Sequence, residues 1–307
     1  MPCAWIVVNP IAGSPGRRQA LDAFRATLAA EGFACDVRPT ERAGHGRVIA
    51  RDAAAADVDV LVAAGGDGTV NELARGLLAG PSRTALAVLP LGTSNLLGRH
   101  PGIPPRAPRA AAAGLGDGRA VRIDTATANG LPWIACAGVG IDAHIVAELT
   151  RARRGHIGFR SYAGPIWSAL RDYAAPELVV CADGQEPVAG HLALVLNARP
   201  YAAFLTPAPR ASLVDGLLDV VVLRGGGVRR FARWGWRAWR GALERDRDVR
   251  FLRAASLRIE SAARAPFQID GDVGAATPVD MLVLPRSLRV ALPRRAAGLE
   301  ATFRSTP

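Results

Sequence analysis

The run Val58-Asp59-Val60-Leu61-Val62-Ala63-Ala64-Gly65-Gly66-Asp67-Gly68-Thr69-Val70-Asn71-Glu72 is a strand, a turn and a helix start in fifteen consecutive residues. Its apolar first half, Val58 to Ala63, reads as a strand buried on both faces, the pattern of a parallel sheet. Three glycines follow, then a helix predicted over Thr69 to Leu78. In an open parallel sheet, ligands bind beyond the carboxyl ends of the strands. Glycines there let backbone approach a phosphate without an intervening Cβ. The helix N-terminus adds unpaired N–H groups and a favourable dipole. Asp67 would repel a phosphate, so at such a site it needs a cation beside it. Read alone, the same residues also make a tight Asp-Gly turn with Thr69 as N-cap.

Working outward, the first third alternates the two element types. Strands are predicted over Trp5–Asn9, Phe33–Arg38 and Ala85–Leu89, and helices over Arg17–Ala30 and His45–Ala56. This rhythm predicts an α/β domain with a parallel sheet, residues 1–122. Two more turns end strands of that sheet: Asn9-Pro10-Ile11-Ala12-Gly13-Ser14, and Pro90-Leu91-Gly92-Thr93-Ser94-Asn95. Three such loops on one sheet edge suit a nucleotide triphosphate. Beyond residue 120 short apolar runs recur between Gly, Pro and Asp: Val121–Ala126, Trp133–Ala137, Leu178–Ala182, Leu192–Leu196, Leu218–Leu223, Leu257–Ile259, Phe267–Ile269 and Met281–Leu284. They predict an antiparallel β-sandwich domain, residues 123–289, interrupted by helices near Gly158–Asp172 and Val228–Arg245. Residues from about 290 to 307 are expected to pack back on the first domain.

Composition narrows the chemistry. The 307 residues include no lysine, so all 38 basic residues are arginine, and the net charge is +11. Mechanisms built on a lysine, such as the P-loop and protein kinases or Schiff-base chemistry, are excluded. A phosphate site here must use backbone N–H groups, arginine and metal. Cys3, Cys35, Cys136 and Cys181 form no CxxC pair, which argues against zinc. The five histidines show no ligand spacing. The N-terminus lacks a charged segment before its apolar run, so no signal peptide is expected. No apolar run is long enough to span a bilayer. A soluble, cytoplasmic protein is expected, at most peripheral on the inner membrane face.

The order NPIAGS, GGDGTVNEL, PLGTSNLLGR, VDGLLDV and IDGD resembles the diacylglycerol kinase catalytic family, over residues 5 to 273. That family includes bacterial lipid kinases and sphingosine kinases and is more distantly similar to NAD kinase. The resemblance implies an ATP- and Mg²⁺-dependent kinase acting on a lipid hydroxyl, diacylglycerol-like or sphingoid, with its site between the two domains. It implies nucleotide contacts from Thr40, Gly65, Gly66, Asp67, Gly68, Thr69, Asn71 and Thr93, with Asn9 nearby. It implies a magnesium site at Asp215 with the carbonyls of Ser212 and Leu217, and Asp67 serving the magnesium–phosphate assembly. The family's proton acceptor falls on Asp272, one methylene shorter than the usual Glu, with Asp270 as the other choice of base. Leu96 stands where many members carry an acidic residue. Two alternatives remain: a soluble-substrate kinase of the NAD kinase type, and a binding homologue without turnover.

The Val228–Arg245 segment adds a membrane question. On a helical wheel Arg229, Arg230, Arg233, Arg237 and Arg240 share one arc. Phe231, Trp234, Ala238, Trp239 and Ala242 lie opposite, with Trp236 and Leu243 at the margin. This pattern suits an interfacial helix on anionic lipid, and equally a helix whose tryptophans pack inward. No motif accompanies the charge to favour nucleic acid.

Overall fold

The computed structural model describes residues 1–10, 16–92, 95–99, 107–117, 119–152, 171, 173, 175–202 and 205–294. The chain forms two compact units. The first holds Met1–Thr125, Leu213–Asp215 and the described residues from Pro285; the second holds Ala126–Ser212 and Gly216–Leu284.

In the first unit the order is β1 (Cys3–Val8), α1 (Arg17–Ala30), β2 (Ala34–Pro39), α2 (His45–Ala55), β3 (Val60–Gly65), α3 (Asp67–Leu77), β4 (Ala85–Pro90), the one-turn α4 (Leu96–Arg99), α5 (Pro108–Ala112) and β5 (Ala120–Ala128). The sheet runs β2-β1-β3-β4, all parallel. Every residue of β3 and β4 is buried, which is why both read as unbroken apolar runs. Phe24 and Leu28 of α1 pack with Ile6, Val62 and Leu89. The chain enters at β1, adds β2 on one side, then returns to place β3 on the other. The strand order therefore reverses between β1 and β3, the position where open α/β sheets take ligands at their carboxyl ends.

The second unit contains β6 (Leu131–Trp133), β7 (Cys136–Gly140), α6 (Ile141–Ala152), β8 (Leu178–Ala182), β9 (Val188–Gly190), β10 (Leu192–Leu196), β11 (Leu218–Leu223), α7 (Val228–Trp239), β12 (Val249–Ala254), β13 (Ser256–Glu260), β14 (Pro266–Ile269), β15 (Asp272–Ala276) and β16 (Val279–Ala291). One antiparallel sheet runs β12-β11-β10-β7-β14-β15. A second is built from β9, β8, β13 and the first half of β16. Alternate residues of both, such as Val139, Val195, Val220 and Phe267 from one and Val180, Ile259 and Met281 from the other, share one core. This is the sandwich expected from the short apolar runs. The distal half of β16 belongs to the first unit, where Val290 pairs in parallel with Leu86 of β4.

Several expectations change. Helix α3 begins at Asp67, two residues earlier than predicted, and extended Gly66 is its N-cap in place of Thr69. The predicted strand Trp133–Ala137 is two strands, β6 and β7, parted at residues 134–135. The helix predicted to Arg245 stops at Trp239, because Gly241 takes the left-handed conformation that ends helices (φ +62°). Helices α4, α5 and α6 and strands β9, β12 and β15 are additions to the predicted elements. The helix predicted near Gly158–Asp172 falls almost wholly outside the described residues.

Candidate functional site

The carboxyl ends of the parallel strands come level with one another. Val8 pairs with Pro39 and with Ala64, and Gly65 with Pro90. Two hydrogen bonds carry the alignment past the strand ends, Thr40 N–H to the Val8 carbonyl at 2.8 Å and Leu91 N–H to the Gly65 carbonyl at 3.0 Å. Asn9, Thr40, Gly65, Gly66 and Gly92 thereby lie along a single edge. The side chain of Arg17, the first residue of α1, donates to the Asn9 carbonyl at 2.6 Å and fixes where β1 ends. Thr93 and residues 11–15 lie outside the described residues.

Two of these turns interlock. A Cβ on Gly92 would lie 2.4 Å from the Gly66 Cα, and one on Gly65 would lie 2.4 Å from the Thr69 Oγ. Gly92 is therefore required by the backbone of the neighbouring turn, and Gly65 by the buried Thr69 side chain. Gly68, in the first turn of α3, differs: a Cβ there would meet nothing within 4 Å. Its N–H has no acceptor among the described residues, whereas Thr69 and Val70 donate back to the Gly66 carbonyl. The open face of this turn is thus at Gly68. Thr69 and Asn71 are buried in α3 behind it.

Asp67 joins the turns. Its Oδ2 accepts the Asn95 N–H at 2.8 Å and its Oδ1 the Leu96 N–H at 2.5 Å. Asn95, held at φ +50° and buried, closes its own loop: its Oδ1 accepts from Gly92 N–H at 3.0 Å and its Nδ2 donates to the Gly92 carbonyl at 2.6 Å. Leu96 is buried, so its side chain serves packing. Glu72, one turn along α3, accepts the N–H groups of Gly44 and Gly46, each at 2.8 Å. It supplies acceptors for the start of α2, which has no side-chain cap of its own. The sequence reading passed over Asn95 and Glu72. An Asn just after a glycine turn and a Glu following Asn71 were the available signals.

Asp215 sits half-buried in the bend before β11, beside Gly216 at φ +71°, with Ser212 and Leu217 half-buried to either side. Asp124 of β5, buried and not singled out by the sequence, accepts the Arg286 N–H at 2.7 Å; its own N–H donates to the Leu213 carbonyl at 2.6 Å. It thus anchors the segment leading to Asp215. Among the described residues no three His, Cys, Asp or Glu side chains converge as a metal cage. A nucleotide-bound magnesium needs none, since phosphates and water supply most of its ligands.

The two acids of IDGD have different surroundings. Asp270, at φ +52° and buried, accepts three backbone N–H groups: Ile134 at 2.7 Å, Ala135 at 2.8 Å and Cys136 at 3.0 Å. Asp272 opens β15 and is exposed. Behind the turn is a buried polar group that the sequence did not suggest. Gln268 accepts the Gly271 N–H at 2.7 Å and donates to Asp142 at 2.8 Å. Tyr201 donates to the other oxygen of Asp142. Burial pushes the Asp142 carboxyl up from its ordinary value, against the two hydrogen bonds; burial and the Asp142 charge push the Tyr201 hydroxyl well above its own. Gly138 is required here, because a Cβ would lie 1.7 Å from the Asp142 Oδ2.

An open depression in the second unit, lined by Thr127, Asn129, Cys181, Asp183, Arg258 and Asp280, holds none of the predicted site residues. Its arginine donates from Nη1 to both carboxylate oxygens of Asp280, at 2.9 and 2.8 Å, and from Nε to Glu260.

The architecture is a mostly parallel α/β unit, with ligand-ready turns at its switch point, and an antiparallel sandwich unit in the same chain. Residues 3–128 match the diacylglycerol kinase catalytic domain, and residues 135–292 the YegS C-terminal NAD kinase beta sandwich-like domain. The chain belongs to the diacylglycerol kinase catalytic-domain family, with a YegS-like C-terminal domain. It is similar to the diacylglycerol kinase of Bacillus subtilis (strain 168), 28% identical over 300 residues, covering 97% of this chain and 98% of that one. It is 27% identical to the diacylglycerol kinase of Staphylococcus haemolyticus (strain JCSC1435), covering 98% and 91%. A crystal structure of a diacylglycerol kinase from Bacillus anthracis str. Sterne matches in fold, with TM-score 0.75 at 23% identity, over 96% of this chain and 98% of that chain.

Proposed function

We propose that the protein is an ATP-dependent lipid kinase that transfers a γ-phosphoryl group to the hydroxyl of a diacylglycerol-like or sphingoid lipid. The observation that carries this reading is the interlocked pair of turns at Gly66 and Gly92, with the open face at Gly68 on the sheet's ligand edge. The nucleotide's phosphates are taken there by backbone, as a chain without lysine requires. Asn9, Thr40, Gly65, Gly66, Gly68, Thr69, Asn71 and Thr93 form or support the nucleotide site. Asp67 holds the second turn against the first. Magnesium, when bound, neutralises charge developing on the transferred group. Asp67, and Asp215 with the Ser212 and Leu217 carbonyls, are the positions to which the family resemblance assigns it.

Asp272 is the favoured base. A general base must have room to take a proton from the attacking hydroxyl. Asp272 is exposed, whereas Asp270 is spent on three backbone donors. The test is ATP consumption with magnesium against diacylglycerol, sphingosine and NAD. Turnover with a lipid and none with NAD is expected. Phosphorylation of NAD alone, or ATP binding without turnover on any lipid, would overturn the reading.

A further inference from the structure

Helix α7 does not present the faces its sequence suggested. Trp234 and Ala238 are buried, 3% and 5% exposed, and hold the helix to its unit. Arg233 and Arg237 are not at liberty either. Arg233 pairs with Asp246 at 3.0 Å and with Asp248 at 2.6 Å, and Arg237 with Asp246 at 3.4 Å. Trp236 and Trp239 instead point outward, 57% and 56% exposed, with ring centroids 5.1 Å apart. Taken at 100° per residue, the outward arc holds Arg229, Ala232, Trp236, Trp239 and Arg240. The Arg240 guanidinium lies 5.7 Å from the Trp236 ring centre. Neither Arg229 nor Arg240 has an acidic partner among the described residues, and Val228–Trp239 contains no acidic residue.

We propose that this arc is a docking surface for a bilayer carrying anionic headgroups, with the Trp236 and Trp239 indoles seated at the interface and Arg229 and Arg240 among the phosphates. Exposed indoles cost free energy in water and prefer the headgroup level, where an apolar ring and a polar N–H are both accommodated. Arginine adds an attraction to an anionic surface. Charge argues for this occupant over a second copy of the chain. A two-fold contact through the arc would set arginines against arginines with no carboxylate to receive them. No helix among the described residues is long and apolar enough to cross a membrane. Vesicle binding requires no turnover, so it is independent of the proposed kinase activity.

The experiment is sedimentation of the full chain with phosphatidylcholine vesicles, with and without phosphatidylglycerol, at low and high salt. Binding is expected on the anionic vesicles only, weakening with salt. W236S/W239S and R229Q/R240Q should each bind roughly tenfold or more weaker. W236F/W239F should keep most of the binding, because it keeps an aromatic ring. All these side chains are exposed, so circular dichroism should be unchanged. Equal pelleting on neutral and anionic vesicles, or of W236S/W239S and wild type, overturns the proposal. So does a concentration-dependent dimer that W236S/W239S abolishes without any vesicle binding, or binding to RNA homopolymer but not to vesicles.

Discussion

Four carboxylates each hold two or more backbone N–H groups of segments far away in sequence. Glu31 takes Gly114 and Gly116, Glu72 takes Gly44 and Gly46, Asp67 takes Asn95 and Leu96, and Asp270 takes residues 134 to 136. In a chain with 38 arginines, these acids serve loops and helix starts in preference to ion pairs. A buried N–H that loses its acceptor costs about 1–3 kcal/mol. Asp270→Asn turns one acceptor into a donor and should lower stability by about 2 kcal/mol or more in chemical denaturation. Asp272→Asn should leave stability and ATP binding intact and lose turnover by roughly 10²-fold. Full turnover by the folded Asp272→Asn protein would remove Asp272 as the base. The glycines divide likewise. Gly68→Val should fold normally and weaken ATP binding by about tenfold or more, whereas Gly92→Ala forces the two turns apart and should destabilise the unit. Calorimetry showing unchanged ATP affinity in Gly68→Val would misplace the phosphates.

At the scale of elements, β14 and α6 are tied through Gln268 and Asp142, and this bond should appear in the pH dependence of stability. Burial raises the folded-state value of Asp142 above its unfolded one. In the window between the two, the folded chain binds more protons, so the contribution is full below the unfolded value and is lost as pH rises through the folded one. Asp142→Asn removes that titration. The difference between wild-type and Asp142→Asn stability should therefore shift against the wild type as pH rises above the ordinary carboxylate range. Guanidinium titrations across that range check this, and a flat difference would show that Asp142 does not carry it. Helix α2 poses a simpler test. Glu72→Ala leaves the Gly44 and Gly46 N–H groups without their acceptor and should cost about 1–3 kcal/mol. A melting temperature unchanged from wild type would mean that water replaces the carboxylate fully.

Over the whole molecule, the chain passes between its units after Thr125, Ser212, Asp215 and Leu284. The first unit is thus not a contiguous piece. Val290, Ala291 and Leu292 are in its buried set, Arg289 donates to the Arg83 carbonyl at 2.9 Å, and the Arg286 N–H is taken by Asp124. A fragment of residues 1–125 exposes the β4 edge that Val290 covers and leaves Asp124 without that donor. It should fail to melt cooperatively by circular dichroism, and a sharp transition like that of the full chain would show that the returning strand is dispensable.

Local residue order carried most of the fold. Unbroken apolar runs can hardly be other than buried strands, so β3 and β4 were legible, and glycines after them marked where a ligand approaches. Helix α1 and strands β8, β10 and β11 were read with the ends they have, because turn residues bound them on both sides. The IDGD and GGDGT motifs located both acidic turns. What each acid does was not legible. Asp67 and Asp270 are alike in sequence as acidic turn residues, and only the position of backbone 28 and 134 residues away shows which N–H groups each holds. Helix α7 makes the same point, since a helical wheel gives the angle of each side chain but not which angle meets the core. Asp246 decided that, by drawing Arg233 and Arg237 to itself and leaving Trp236 and Trp239 facing out. Burial and partnership are properties of segments brought together from far along the chain, and the local pattern does not encode which segments meet.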